Sequence, residues 1–371
     1  MLTWIEVNRT AISHNIHAFR HLVGDRVLLM PVIKSNAYGH GMLEVARLCD
    51  KNKEVNRLCV VNMEEALELI AAGIRKPLVI LSIYELDKIK IAAAIKKRVA
   101  FPLYTFEQAK ILNAVGERVG KKAIVHLKID VGTSRIGIRT EALAEFIKKI
   151  KKYIHLHIEG IFSHFASSEE NGEYTKEQYK LFEQGIAILK KEGIVPPLQH
   201  IACSAAATLH HYSFCNAIRF GISLYGLHPS ATTKKTLSLK PALSWHSTII
   251  QVKNVPTGAK VSYGGTHITK RPTKLAIIPV GYWDGYDRGF SNKAKVIVKG
   301  KRCPILGRVC MNMSMIDVTE VKNPKAGDRV TLLGKNGKAE ITADELAAHI
   351  GTINYEVVTR VNPLIPRVFK K

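Results

Sequence analysis

The chain is predicted to fold as an N-terminal (β/α)8 TIM-type barrel followed by a mostly β C-terminal domain. Over the first two-thirds, eight short apolar runs alternate with helix-like segments, which is the count expected of such a barrel. From about Leu237 the pattern changes to shorter stretches of alternating apolar and polar residues, separated by turn signals such as Lys335-Asn336-Gly337. An open, doubly wound sheet is the alternative, because the strand count alone distinguishes the two architectures.

The order of the predicted elements defines two domains. The predicted barrel strands are residues 27–33, 58–61, 78–81, 100–103, 124–129, 158–162, 200–202 and 217–220. Predicted helices between them cover residues 42–51, 63–72, 86–97, 106–115, 141–151, 176–192 and 205–210. The barrel is therefore assigned to residues 8–235 and the β domain, with one helix near 343–350, to residues 236–371. The strand-like opening, residues 2–7, is expected to join the β domain.

Composition and charge limit the classes of function. The six cysteines show neither a CxxC pair nor a zinc-ligand spacing, so we expect reduced thiols in a cytoplasmic protein and no metal. No apolar run approaches the length of a membrane span, so no membrane partner is expected.

The net charge of +24 raises the question of whether the protein binds nucleic acid. However, the lysines are scattered over helix faces, as at 148–152, and no nucleic-acid motif accompanies them, so none is expected.

The stretch VIKSNAYGHG, residues 32–41, is the first candidate for chemistry. Lys34 follows a buried apolar strand, and poor hydration there favours the neutral amine that forms a Schiff base. Tyr38, four residues on, can direct a hydroxyl to the same place. An ordinary surface lysine beside a loop is the alternative.

Polar side chains follow several of the other predicted strands. Arg135 follows the fifth strand, His164 the sixth and Ser204 the seventh, while Arg219 lies in the eighth, before Gly221 and Ile222. Each has an ordinary alternative: a surface ion pair, a core histidine, a helix cap or a turn. Together they place a hydroxyl and backbone N–H groups where barrels bind phosphate, near a Schiff-base lysine. Pyridoxal phosphate fits this combination.

The β domain contains glycine-flanked aromatic motifs at residues 261–266, 281–285, 307–312 and 354–357. One such motif would indicate only a bulge or a tight turn. Four of them favour a surface arranged for contact.

The motifs VIKSNAYGHG, HLKIDVGTSRIGI, GIFSHFA, AIRFGISLYGL, SYGGT, GYWDGY, RVCMN and NYEV occur in this order. In this series the chain resembles the bacterial alanine racemase family over essentially its full length. The resemblance implies a homodimer in which Lys34 holds pyridoxal 5'-phosphate and acts as one base. Tyr263 of the partner subunit would be the second base. Arg219 would face the pyridine nitrogen, and His164 would link Arg219 to that tyrosine.

The resemblance implies roles for further residues. Phosphate contacts would come from Tyr38, Ser204, Gly221, Ile222 and Tyr355. Arg135 and the backbone of Met311 of the partner subunit would orient the substrate carboxylate. Lys128 would be carbamylated, and Tyr282 and Arg308 would stand at the substrate entrance.

The implied reaction is interconversion of L-alanine and D-alanine, supplying D-alanine for peptidoglycan. The alternatives are a racemase of broader range (serine or basic amino acids), a decarboxylase of the same fold class and a non-enzymatic pyridoxal-phosphate carrier.

Two positions depart from the family pattern. Cys203 stands where the family usually has asparagine, and Asn312 stands where an aspartate usually follows the methionine. Neither removes a catalytic base, but the missing charge at residue 312 bears on substrate preference.

Overall fold

A computed structural model describes residues 1–211 and 215–371 and divides them into two compact units. The barrel unit comprises residues 11–37 and 42–240. The β unit comprises residues 1–10, 38–41 and 241–371.

The barrel unit alternates strands and helices as the sequence predicts. In the described part of the chain its barrel strands are Leu28–Leu29, Leu58–Val60, Leu78–Ile80, Ala100–Leu103, Ala123–Asp130, Leu156–Phe162, Leu198–His200 and Ala217–Ile218, with a short addition, Ile138–Arg139. The helices are Met42–Lys51, Met63–Ala71, Lys88–Lys96, Phe106–Arg118, Leu143–Ile150, Gly172–Lys191, Ser204–Leu209 and Ala231–Thr236, together with most of Arg9–Val23. Several helix starts are capped: Thr105 and Gln108, for example, form a reciprocal capping box.

Parallel pairing closes the strands into a ring. Neighbouring strands pair in parallel from Leu58–Val60 to Leu198–His200, and Ala217–Ile218 pairs in parallel with Leu28–Leu29. Backbone hydrogen bonds from Ile33 to Cys59 (2.9 Å) and from Arg219 to Ala202 (3.0 Å) complete the circle. The predicted barrel is therefore confirmed over the open sheet.

The first barrel strand is shorter than the predicted 27–33. Regular pairing covers Leu28–Leu29, and an isolated parallel bridge joins Val32 to Cys59. Pro31 lies between them and has no N–H to donate to a neighbouring strand, although its carbonyl accepts from Cys59 N at 2.9 Å.

The β unit is mostly antiparallel sheet. Its main sheet has the order Lys301–Pro304, Lys295–Val298, Arg329–Asn336, Leu243–Thr248, Thr3–Asn8 and Arg367–Lys370, and Ala339–Ile341 pairs with Arg329–Asn336. The opening strand Thr3–Asn8 is antiparallel to Leu243–Thr248 and parallel to Arg367–Lys370. A second sheet joins Gln251–Val255, Thr273–Ile278 and Ser314–Asp317, and Lys260–Val261 pairs with His267–Ile268. The helices are Ala343–Ile350 and Asn354–Thr359.

Buried apolar side chains fill the core of both units, including Phe19, Phe101 and Phe220 in the barrel unit and Trp245 in the β unit. Within the described ranges no helix combines the length and the apolar character needed to cross a membrane.

Candidate active site

The lysine singled out from the sequence stands at the start of an unusual backbone turn. Ser35, Asn36 and Ala37 all have φ between 52° and 54°, in the left-handed region that non-glycine residues rarely occupy. Two side chains hold the turn. The Glu65 carboxylate accepts from Ser35 N at 2.6 Å, and Asn36 Oδ1 accepts from Met42 N at 2.9 Å. The turn is strained, and its neighbours fix its shape.

The surroundings of the Lys34 amine disfavour its protonated form. Burial and, next, the positive charge of Arg135 lower the pKa of Lys34, while the Glu65 carboxylate partly opposes them. A lowered pKa enlarges the fraction of neutral amine, which is the form that attacks an aldehyde.

Arg219 is held at the carboxyl end of its strand by a cage of acceptors. Its Nη1 donates to His200 Nδ1 at 2.6 Å and to the His200 carbonyl at 2.8 Å. Its Nη2 donates to the carbonyls of Ser163 (2.6 Å) and Ile201 (3.1 Å) and lies 3.4 Å from His164 Nδ1. Burial and then the charge of Arg219 keep the pKa of His164 well below its usual value. His164 is therefore neutral beside a fixed cation, and the structure brings these two predicted residues together.

Lys128 is a second lysine at this end of the barrel. It is 2% exposed, and its Nζ lies 5.0 Å from the centre of the Phe162 ring. Burial, followed by the charges of Arg219 and Arg135, lowers the pKa of Lys128 to about 7. Asp130 opposes this shift, but its Oδ1 is already the acceptor for Gly132 N at 3.0 Å and Ser134 N at 3.2 Å.

The Asp130 turn presents Arg135 to solvent at the end of the strand Ala123–Asp130. Because the Arg135 charge affects the pKa of Lys34 and of His164, the guanidinium belongs to the same cluster.

The residues predicted to contact phosphate gather after the last two strands. Ser204 Oγ accepts from Gly221 N at 3.0 Å. Gly221 precedes the 3-10 turn Ile222–Tyr225, whose first N–H groups have no partner within the turn. Cys203 has its Sγ 3.3 Å from Ser168 Oγ.

In the β unit, Tyr38 and Tyr355 are neighbours, with ring centres 6.3 Å apart. The glycine-flanked motifs also converge. A Cβ at Gly307 would meet Val261 O at 2.5 Å, and one at Gly281 would meet Cys310 O at 2.1 Å. These glycines therefore allow close backbone contact between the SYGGT, GYWDGY and RVCMN stretches.

This convergence sets several predicted residues on one exposed surface. Ser262 Oγ donates to Arg308 O at 2.6 Å, and Ser262 itself has φ 66°, which turns the chain sharply before Tyr263. Trp283 N donates to Met311 O at 3.0 Å. The exposed fraction is 71% for Tyr263, 54% for Met311 and 42% for Tyr282. Asn312 is exposed as well.

Comparison with known proteins accounts for both units. The family model described as the N-terminal domain of alanine racemase matches residues 7–229, and the model of its C-terminal domain matches residues 242–369. The chain belongs to the alanine racemase family. Alanine racemases are isomerases that depend on pyridoxal phosphate. "Alanine racemase 2" of Caldanaerobacter subterraneus subsp. tengcongensis is 42% identical, over 99% of this chain and 94% of that protein. The alanine racemase of Methanococcus maripaludis is 38% identical, over 99% and 98%.

Solved alanine racemases share the fold. The enzyme of Streptomyces lavendulae has a TM-score of 0.95 at 32% identity, covering 100% of this chain and 97% of that one. The enzyme of Bacillus anthracis, solved with bound L-Ala-P, has a TM-score of 0.93 at 35% identity, covering 100% and 95%.

Sequence reasoning missed two residues that support this site by holding other side chains or backbone in place. Glu65 holds the Lys34 turn, and His200 holds Arg219. A signal was available for His200, because it is a polar residue in a short buried strand. Glu65 gave none, since glutamates are common in the first turn of a helix.

Proposed function

We propose that this protein is a pyridoxal-phosphate-dependent racemase that interconverts L-alanine and D-alanine and supplies D-alanine for peptidoglycan. The observation that carries the proposal is the cluster at the carboxyl ends of the barrel strands. A lysine of lowered pKa, Lys34, stands there with a caged arginine, Arg219, and an arginine open to solvent, Arg135. Family membership over both units supports the same assignment.

The residues of the barrel unit fit the cofactor. When bound, pyridoxal phosphate supplies an electron sink that stabilises negative charge at the α-carbon of an amino acid. Ser204, Gly221 and Ile222 would offer a hydroxyl and backbone N–H groups to its phosphate. Arg219 would be the residue that faces the pyridine nitrogen. An arginine keeps its proton at any relevant pH, so it would hydrogen-bond that nitrogen without protonating it, which would limit leakage into transamination.

Racemisation needs a proton removed from one face of the α-carbon and returned to the other, so two bases on opposite sides suffice. Lys34 holds the cofactor and serves one face. Tyr263 of the partner subunit serves the other, so the protein acts as a homodimer. The exposure of Tyr263 supports this assignment, because a base needs a partner surface to enclose it. Arg135 and the backbone of Met311 of the partner subunit bind the substrate carboxylate, and Tyr282 and Arg308 line the entrance.

Lys128 is proposed to be carbamylated. A buried amine with a pKa of about 7 is partly neutral at physiological pH, and only the neutral amine reacts with carbon dioxide. The carbamate would give Arg135 and Arg219 an anionic neighbour.

A cytoplasmic location is also proposed, supported by the free thiols of the cysteines, all of which lie in described residues.

The test is the conversion of L-alanine by purified protein. The expected result is D-alanine formation together with a cofactor absorbance band that is lost in Lys34→Ala. A protein that shows the band but no racemisation would support the carrier alternative and overturn the proposal. A panel of other L-amino acids, with serine and basic amino acids included, decides between alanine and a broader range.

A further inference from the structure

A chain of buried polar side chains leads from Arg219 into the interior of the barrel. His200 Nε2 lies 2.9 Å from His126 Nδ1, and His126 Nε2 lies 3.0 Å from Glu159 Oε2. Both histidines are 0% exposed. Side chains inside TIM-type barrels are usually apolar and branched, so a polar series here calls for an explanation.

The far end of the series is an ion pair. Arg57 donates from Nη1 to Glu159 Oε2 at 2.8 Å and from Nη2 to Glu159 Oε1 at 3.0 Å. The exposed fractions of the two side chains are only 18% and 13%. A bidentate ion pair of this kind fixes the orientation of the carboxylate as well as its position.

The surrounding sequence makes room for the series. Gly160 lies opposite His126 in the parallel pairing of their strands, and a Cβ there would meet His126 Cγ at 2.8 Å. The His200 ring is stacked on Phe162, with centres 5.0 Å apart and planes 10° apart. The stacking fixes the plane of the His200 ring, and Gly160 leaves the space that the His126 ring occupies.

The direction of every hydrogen bond in the series is forced. Arg219 can only donate, so His200 Nδ1 is an acceptor and the proton of this ring is on Nε2. That proton is donated to His126 Nδ1, so the proton of His126 is on Nε2 as well and is donated to the Glu159 carboxylate. Each histidine is neutral in a single tautomer, and the polarity runs from a cation to an anion.

The charges agree with this direction. Burial, followed by the charge of Arg219, keeps the pKa of His200 well below its usual value, and burial lowers the pKa of His126. Although burial acts to raise it, the hydrogen bonds from His126 and Arg57 lower the pKa of Glu159 to about 2. Arg219 itself contacts carbonyls and ring nitrogens, so Glu159 is the anion connected to it through the series.

We propose that His200, His126 and Glu159 form a positioning relay that fixes the orientation and the charge of Arg219, with Arg57 anchoring its far end. The proposal rests on the proposed function insofar as Arg219 faces the cofactor. The relay residues are positioning residues, because they act through Arg219 and touch neither substrate nor cofactor.

Glu159→Gln tests the relay in the full-length, cofactor-loaded protein. The amide keeps an acceptor for His126 but removes the anion. We expect a roughly tenfold to hundredfold fall in kcat, since hydrogen bonds to charged groups contribute about 1.5–3 kcal/mol. The KM for alanine should change little, because Arg135 is untouched. The absorbance of the bound cofactor should shift, and its dissociation constant, measured by absorbance titration, should rise.

Three variants separate positioning from folding. The double variant Arg57→Met/Glu159→Gln removes both charges of the ion pair. If the defect of Glu159→Gln comes only from leaving Arg57 unpaired, the double variant should restore stability. The relay predicts that the kcat and spectral defects persist in this double variant. Glu159→Asp keeps the anion and should recover part of kcat. Glu192→Gln breaks the more exposed Lys151–Glu192 pair of the same unit, where the atoms are 2.7 Å apart, and should match the wild type.

Wild-type kinetics, spectrum and cofactor affinity in Glu159→Gln would overturn the relay, as would full recovery in the double variant. Nitrogen-15 NMR of histidine-labelled protein gives a readout independent of activity, with the Nε2–H tautomer expected for His126 and His200. The Nδ1–H tautomer at either ring would also overturn the relay. If the wild-type protein does not racemise alanine, the proposed function fails, and the tautomers still report on the relay.

Discussion

The Glu65 carboxylate joins the backbone of the Lys34 turn to the end of the neighbouring barrel strand. Its Oε1 accepts from Ser35 N at 2.6 Å, and its Oε2 accepts from Val61 N at 2.9 Å. Its charge also raises the pKa of Lys34 against the larger lowering by burial and Arg135. One side chain therefore supports both the strained backbone beside the lysine and the protonation of its amine.

We predict that Glu65→Gln weakens cofactor binding and shifts the pH dependence of cofactor attachment to lower pH. The amide leaves one backbone N–H without an acceptor, which costs about 1–3 kcal/mol. Loss of the carboxylate charge lowers the pKa of Lys34 further, so the neutral amine is reached at lower pH. Absorbance titration with pyridoxal phosphate across pH measures both effects. Glu68→Gln, an exposed position on the same helix, is the matched control. An unchanged pH profile in Glu65→Gln would contradict the assignment.

The sequence predicts the site best where its geometry follows from the fold. Because parallel strands end at one face of a barrel, polar residues after several strands, such as Lys34, His164 and Arg219, are expected to converge. The left-handed turn after Lys34 could not be predicted, since non-glycine residues rarely adopt a positive φ in succession. It depends on acceptors supplied by tertiary structure.

The interior relay was missed for a related reason. Its residues are far apart in the chain and lie on separate strands. Their pairing depends on register and on the space left by Gly160, which no local pattern reveals.

Carbamylation of Lys128 should depend on pH. The neutral amine increases as pH rises through about 7, so carbamate formation should increase over the same range. Carbon-13 NMR with labelled bicarbonate should show a carbamate signal that is absent from Lys128→Met. The KM for alanine should rise in that variant, because Arg135 loses an anionic neighbour. A labelled carbamate signal that persists in Lys128→Met would show that another amine is modified.

Lys128 should also make stability depend on pH. Folding lowers its pKa from 10.5 to about 7, so between these values the unfolded chain binds the proton more tightly than the folded protein. The free energy of unfolding should therefore rise with pH across this window, and below it the full cost of burying the lysine applies.

Lys128→Met removes this cost and should raise the free energy of unfolding at pH 7 by roughly 2 kcal/mol or more, measured without carbon dioxide. Denaturant unfolding at a series of pH values gives the comparison. Lys148→Met, at an exposed lysine of the same unit, should have little effect. If Lys128→Met were less stable than the wild type at pH 7, the buried amine would not be the source of the pH dependence.

A mixing experiment tests whether Tyr263 serves the site of the partner subunit. Lys34→Ala and Tyr263→Phe should each be nearly inactive as homodimers, because every site lacks one base. In a heterodimer of the two, one site has both bases and the other has neither. Random mixing gives half heterodimers with one competent site each, so about one quarter of the wild-type rate should return. Lys34→Ala with His164→Phe is the control pair. Both residues belong to the barrel unit of one chain, so each site of that heterodimer carries one of the two defects and mixing should restore no activity. If mixing Lys34→Ala with Tyr263→Phe restored nothing, although both fold and exchange subunits, Tyr263 would act on the site of its own chain.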